Sequence, residues 1–434
     1  MTLGVRVTTL NACFCGVLLA AASCTNSPTQ TASSGARTPT PATTPQVSAT
    51  TPAATSAGFS LLPWSGNPGS PDPIMDCSDS GGAIAPSDPV AIVQPHGLEL
   101  ALRDYADPAH PRTLCRFSNP PAIVQLIDSR HIVVRGFGAT NIYAVVDLPE
   151  VRYHWFQLNP GAAPAACADF LGVSPGLDAV AWRGFTAGTT VQTIHVTTAA
   201  GDQAVATLPR ANPQLPPAAC GGRATESDGY SASGRYFYVL DRNPDVNYVS
   251  GPHLNSLLVI DRTRALLTLT PPPGGWASDA EPSMPVWSPV TDTLYYLQGG
   301  QVWTWDPSTG ARPFLSGVSW CYPTISADGH YLAFGARRAD GSYDVDLLDL
   351  TSGQVPHVIG KGPRNLPAFL NSNLVWDLTW NSPLCGRGYV GQPLVYDTHD
   401  ESEASSVLDW VFQVWPATGY ALSGVWPDSY AGRR

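Results

Sequence analysis

Ser326-Ala327-Asp328-Gly329-His330-Tyr331-Leu332-Ala333-Phe334 is the stretch that decides the fold. A serine ends one apolar run, Asp-Gly supplies a tight turn, and a second apolar run starts six positions after the serine. The same offset recurs at Ser174 and Val180, Ser231 and Phe237, and Ser288 and Leu294. The flanks repeat too: Val173-Ser174-Pro175, Tyr230-Ser231-Ala232, Trp287-Ser288-Pro289 and Ile325-Ser326-Ala327. Shorter versions stand at Leu126-Ile127-Asp128-Ser129 before Ile132 and at Phe369-Leu370-Asn371-Ser372 before Leu374. Apolar runs of this length, bounded by turn residues, read as paired strands.

Working outward, each hairpin is followed by an apolar strand, an Asp, a tight turn and another strand. Trp303-Thr304-Trp305-Asp306-Pro307-Ser308-Thr309-Gly310 and Leu347-Leu348-Asp349-Leu350-Thr351-Ser352-Gly353 are the clearest copies, with Asp147, Asp261 and Asp397 in looser ones. An Asp side chain accepts an N–H of its own turn, and Gly takes the positive-φ position. Two hairpins make a four-stranded sheet, and such sheets packed radially make a propeller. The expected fold is therefore all-β, a β-propeller of four-stranded blades. First hairpins fall near 80–100, 123–134, 171–182, 228–240, 286–297, 324–335 and 368–380, which gives seven blades. Six or eight stay open. Trp415-Pro416-Ala417-Thr418-Gly419 echoes Asp306-Pro307-Ser308-Thr309-Gly310, so strands at about 410–426 can complete the last blade or close the ring against the first.

Residues 318–353 resemble the WD40-like repeat of TolB-type propellers, whose form is Pro-x-Trp-Ser-Pro-Asp-Gly, an apolar strand, then Asp-x-x-x-Gly. Pro323-Thr324-Ile325-Ser326-Ala327-Asp328-Gly329 and Pro285-Val286-Trp287-Ser288-Pro289 carry the resemblance. It implies a fold and no particular activity, because propellers host many functions.

The N-terminus reads as an address. Residues 1–23 hold one cation, Arg6, and a short apolar stretch from Cys13 to Ala22. That stretch is shorter than the roughly 20 residues that span a bilayer and suits a secretion signal. Leu19-Ala20-Ala21-Ala22-Ser23-Cys24 resembles the bacterial lipobox, with Ala21 where Leu is commonest. The resemblance implies lipidation at Cys24; an ordinary signal with a chance cysteine is the alternative. Residues 24–58, rich in Thr, Pro, Ser and Ala, cannot bury enough apolar surface to offset ordering entropy and read as a tether. Residues 59–434 form the propeller domain. The expected location is the outer face of the cytoplasmic membrane.

Composition agrees with this. One lysine, Lys361, stands against 22 arginines, and six glutamates against 28 aspartates, with 40 Gly and 42 Pro. Lys and Glu suit helix surfaces; Asp, Gly and Pro suit turns. The net charge of −11 argues against nucleic acid, which needs clustered cations. Beyond the leader and Cys24, six cysteines remain: Cys77, Cys115, Cys167, Cys220, Cys321 and Cys385. An even number in an exported chain suggests disulfides, with 15 pairings open and sequence neighbours (77–115, 167–220, 321–385) favoured. Zinc is the rival, but no Cys-x-x-Cys occurs and the histidines lack ligand spacing. No metal and no cofactor is expected.

Catalytic motifs are absent from the sequence. Gly229-Tyr230-Ser231-Ala232-Ser233-Gly234 lacks the nucleophile-elbow spacing, and Ser231 is the repeat serine. Asp400-Glu401-Ser402-Glu403 reads as a solvated acidic loop rather than a calcium site. In propellers the loops leading into the innermost strands line one mouth of the channel. Those loops place Asn119, Glu226, Asp228, Glu281, Trp320, Tyr322, Arg364 and Asn365 there. Aromatics beside arginine and carboxylates can hold a sugar or a peptide end; solvated loop residues and strand caps are the bland reading. The expected function is a monomeric, non-catalytic binding or scaffold module for a protein partner or an envelope glycan. It touches the membrane through its lipid alone. The alternative is a glycan-processing enzyme using Glu226, Asp228 and Glu281.

Overall fold

The computed structural model describes segments of the chain between residues 75 and 405. Its strands form four-stranded antiparallel sheets, seven among the described residues. The first holds β2 (Ala91–His96), β3 (Glu99–Asp104) and β4 (Arg112–Phe117), with β1 (Met75–Asp76) on the far side of β4. The second is β5 (Pro121–Leu126), β6 (His131–Gly136), β7 (Ile142–Asp147) and β8 (Arg152–Gln157). The third is β9 (Ala166–Val173), β10 (Ala179–Thr186), β11 (Val191–Thr198) and β12 (Gly201–Pro209). The fourth is β13 (Thr225–Glu226), β14 (Tyr236–Asp241), β15 (Ser256–Asp261) and β16 (Leu267–Leu269). The fifth is β17 (Val286–Trp287), β18 (Leu294–Gln298), β19 (Gln301–Asp306) and β20 (Gly310–Ser316). The sixth is β21 (Cys321–Ile325), β22 (Tyr331–Arg337), β23 (Tyr343–Asp349) and β24 (His357–Ile359). The seventh is β25 (Leu366–Phe369), β26 (Leu374–Leu378), β27 (Leu394–Asp397) and β28 (Ser402–Ser405).

Consecutive sheets share their cores, which makes the fold a propeller. Val145 and Phe156 of the second sheet pack with Val180 and Trp182 of the third. Ala181 and Ile194 then meet Phe237 and Ile260 of the fourth. Tyr238 and Val259 meet Trp287 and Trp305 of the fifth. Tyr295 and Leu297 meet Phe334 and Leu348 of the sixth, and Val345 and Ile359 meet Phe369 and Tyr396 of the seventh. Inner and middle strands are covered on both faces, so they read as continuous apolar runs: every described side chain of β7 and β21 is buried. The outer strand β20 is mostly exposed.

The repeat serine works as a turn clasp. Ser174, Ser231, Ser288 and Ser326 are all buried. The hydroxyl of Ser326 accepts the N–H of Tyr331 at 2.9 Å, and that of Ser174 accepts Ala179 N–H at 3.0 Å. The N–H of each serine donates back across the hairpin, as from Ser326 to the Tyr331 carbonyl at 2.9 Å. Gly329 closes this turn at φ +75°. The Asp motif ends the third strand: β7, β15, β19, β23 and β27 stop at Asp147, Asp261, Asp306, Asp349 and Asp397. Asp261, Asp306, Asp349 and Asp397 each accept the N–H two residues on, at 2.8–2.9 Å.

The hairpin expected within 80–100 is β2–β3, with β2 at one edge of its sheet and β1 at the other.

Candidate functional site

In a four-stranded meander the first and third turns share one end of the sheet and the middle turn lies at the other. At the first end, sheets are tied through these turns. Arg262, in the third turn of the fourth sheet, donates two hydrogen bonds to Asp178, in the first turn of the third sheet, at 2.8 and 2.9 Å. Ser233 N–H donates to Asp292 of the fifth sheet at 2.9 Å.

The inner strands are tied as closely. Gln125 on β5 donates from Nε2 to the Val173 carbonyl at 2.9 Å, and its Oε1 accepts Val173 N–H at 2.7 Å. One side chain thus stands in for a backbone partner on β9. Beside it, a Cβ on Gly172 would lie 2.6 Å from Gly229 Cα, so these two segments meet main chain to main chain.

Further along β9, Asp169 pairs with Arg183 of β10, and Arg183 also donates to Gln192 Oε1 of β11 at 3.1 Å. The Arg183 side chain is 4% exposed and that of Asp169 17%. At the sheet's rim, His195 stacks on Trp182 (centroids 4.1 Å apart, 13° between planes) and its Nδ1 lies 2.7 Å from Asp202. Trp182 Nε1 donates to Thr197 at 2.8 Å and to Asp202 at 3.2 Å. This imidazole–carboxylate pair escaped the sequence reading because its members face each other only once β11 and β12 pair.

The shifted groups are buried phenols and the carboxylates of turns and ties. Burial pushes the Tyr143 and Tyr296 phenols up to about 12, outside the range of a neutral-pH acid or base. The Arg262 hydrogen bonds hold the Asp178 carboxyl below the usual carboxylate range. Hydrogen bonds from Ser308 and Thr309 lower Asp306, and one from Thr351 lowers Asp349. Burial raises Asp261, but Arg235 and Thr263 outweigh it and leave it lowered. Depressed folded-state values stabilise the fold above the unfolded carboxylate pKa of about 4, and that contribution is lost as pH falls through the folded values. Thermal melts are expected to be flat from neutral pH down to about 5 and to drop steeply below about 4. Asp178→Asn should make that acid drop shallower; an unchanged acid limb in the variant would remove Asp178 from the account.

The eight mouth residues have different fates. Trp320 is 2% exposed and packs on Phe334 (centroids 5.2 Å apart), so its ring belongs to the core rather than to a ligand surface. Tyr322 is also buried, at φ +48°, where β21 slips register between Cys321 and Thr324. Glu226 sits on β13 opposite Leu240. Asn119, Asp228, Glu281, Arg364 and Asn365 lie outside the described residues, as do Cys24, Cys77, Cys220 and Cys385. Cys167 lies on β9, and Cys115 and Cys321 are buried. Trp182, Trp287 and Tyr296 pack between sheets. Among the described residues no cluster of His, Cys, Asp or Glu could hold a metal.

No protein-family model matches the sequence, and no curated protein matches it. Solved structures do. TolB from Acinetobacter baumannii is 14% identical, with 72% of this chain and 77% of that one covered at a TM-score of 0.35. An oligogalacturonate lyase in complex with manganese is 12% identical, with 77% and 88% covered at 0.45. A prolyl endopeptidase structure is 14% identical at 0.44, with 73% of this chain covered; the chain spans about half of that protein's length.

Proposed function

We propose that this chain is an extracytoplasmic binding or scaffold module, anchored by lipid at Cys24 and held off the membrane by residues 24–58. In this reading residues 59–434 form a ring of seven blades whose loops at one mouth hold a protein or an envelope glycan. One observation carries it: the repeat's polar groups are engaged in the fold. The serines clasp hairpins, the aspartates hold turns, and Asp178 and Asp292 tie neighbouring sheets. In this reading recognition falls to the approaches to the inner strands, with Asn119, Asp228, Glu281, Arg364 and Asn365 as the candidates beside Glu226 on β13. The reading includes disulfides, with Cys115 and Cys321 as bonded sulfurs rather than thiols.

The test is affinity capture from envelope fractions with the mature chain and with Glu281→Ala/Arg364→Ala. A protein held by the wild type and lost by the variant is the expected result. Equal capture by both moves the site off this mouth, and turnover of a glycan that disappears in Glu226→Gln replaces binding with catalysis. In the same cells Cys24→Ser should release the protein to the medium; continued membrane retention argues against the lipid anchor.

A further inference from the structure

The outer rim between the fifth and sixth sheets carries apolar side chains that the fold leaves exposed. On the fifth sheet β20 bulges: Val302 stands opposite Leu315 and Trp303 opposite Pro313, so Phe314 is the extra residue. A bulge re-aims a side chain. Here the Phe314 ring packs on Tyr295, with centroids 5.3 Å apart and 67° between planes. Tyr295 belongs to the core shared with the sixth sheet, so Phe314 faces that sheet, yet it stays 37% exposed. Across the gap, Leu348 of β23 lies in the same core, and alternation puts Asp346 on its side. Val358 of the outer strand β24 stands opposite Asp346 and is 51% exposed. Radially packed blades splay apart toward their outer strands, so Phe314 and Val358 stand on the two walls of an open groove.

A cation lies on the fifth-sheet wall. Arg312 stands opposite Thr304, which stands opposite Tyr295, so guanidinium and phenol share a face. Burial raises the Tyr295 phenol, and the Arg312 charge opposes that rise. The Arg312 side chain is 59% exposed; Nε donates to Thr304 at 3.4 Å, and Asp306 lies 3.7 Å away. Asp306 is engaged by its own turn, accepting the N–H groups of Ser308 and Thr309 at 2.9 Å each and both of their hydroxyls. Both contacts of Arg312 are long, so its fork of donors keeps capacity for an anion. On the sixth-sheet wall the charges are engaged with one another: Arg338 donates to Asp344 at 2.8 Å and also holds Asp346.

We propose that this groove docks an extended peptide segment, with an apolar side chain between Phe314 and Val358 and a carboxylate on Arg312. The seven residues of β20 span about 23 Å, room for an extended segment of about six residues. A planar carboxylate matches the guanidinium fork, and the aromatic beside it is the apolar anchor. Two apolar side chains with one cation suit a peptide rather than a glycan, whose hydroxyls need several polar partners. The net charge of −11 repels acidic partners at long range, so selection rests on the contact with Arg312. The surface lies on outer strands, whereas the mouth candidates lie on the approaches to inner ones, and neither site depends on the other.

Panning a display library of short random peptides against the mature chain should enrich sequences that place Asp or Glu within a few residues of Leu, Ile, Phe or Trp. An enriched peptide, made synthetically, should bind Arg312→Gln and Phe314→Ser at least about tenfold more weakly than the wild type and bind Glu281→Ala/Arg364→Ala equally well. Val358→Asp, on the other wall, repeats the test if Phe314→Ser unfolds through its contact with Tyr295. Three results overturn the inference: no peptide enriched by the wild type over Arg312→Gln, enriched peptides that are basic, or enriched peptides that bind the groove variants as tightly as the wild type. Binding lost in the mouth variant alone overturns it as well, and supports the mouth as the site.

Discussion

Gly172→Ala is expected to lower the unfolding free energy by about 3 kcal/mol, at the upper end of overpacking costs. The reason is the atom that the new methyl meets. It is Gly229 Cα, a main-chain atom at 2.6 Å, and no side-chain rotation can clear it. The inner segments of the third and fourth sheets must move apart, which stretches the Gln125 clamp on Val173 in the same place. Gly310→Ala is the control. Its φ is +70°, but nothing lies within 4 Å of the new Cβ, so it should lose only the left-handed penalty of about 1 kcal/mol. Urea unfolding followed by tryptophan fluorescence separates the two, as a shift of midpoint at constant slope. Equal shifts would mean that the approach of Gly229 adds no more to the cost at Gly172 than the left-handed backbone does at Gly310.

Asp169→Ala should cost about 4 kcal/mol, because it removes a carboxylate that pairs with the buried Arg183 guanidinium. Gln192 remains as a hydrogen-bond acceptor but is neutral. Replacing both partners, Asp169→Leu with Arg183→Met, should return stability to within about 1 kcal/mol of the wild type, since desolvation of the pair offsets most of its attraction. The double-mutant cycle then reports a large coupling. A double variant as unstable as the single one would mean that the cluster's shape matters more than its charge.

Much of the frame can be read along the chain because its bonds are short in sequence. A serine clasp reaches five residues and an Asp turn two or three, so each copy carries its own instructions, and repetition exposes them. The four-stranded unit and the turn glycines follow from that. The candidate site was less legible. The spacing put Trp320 and Tyr322 at the mouth, but burial depends on backbone rotation, and the slip of β21 at Tyr322 is not encoded by period.

By itself, then, the sequence determined the local chemistry: strand, clasp, turn and their repetition, which an acidic, Asp-rich chain with a single lysine can satisfy. Tertiary structure alone decided which distant residues meet. Asp178 finds Arg262, Gly172 touches Gly229, and His195 lies flat on Trp182 against Asp202. These contacts arise between strands or between sheets, where the relative placement of segments, and not any periodic pattern along one of them, sets the distance.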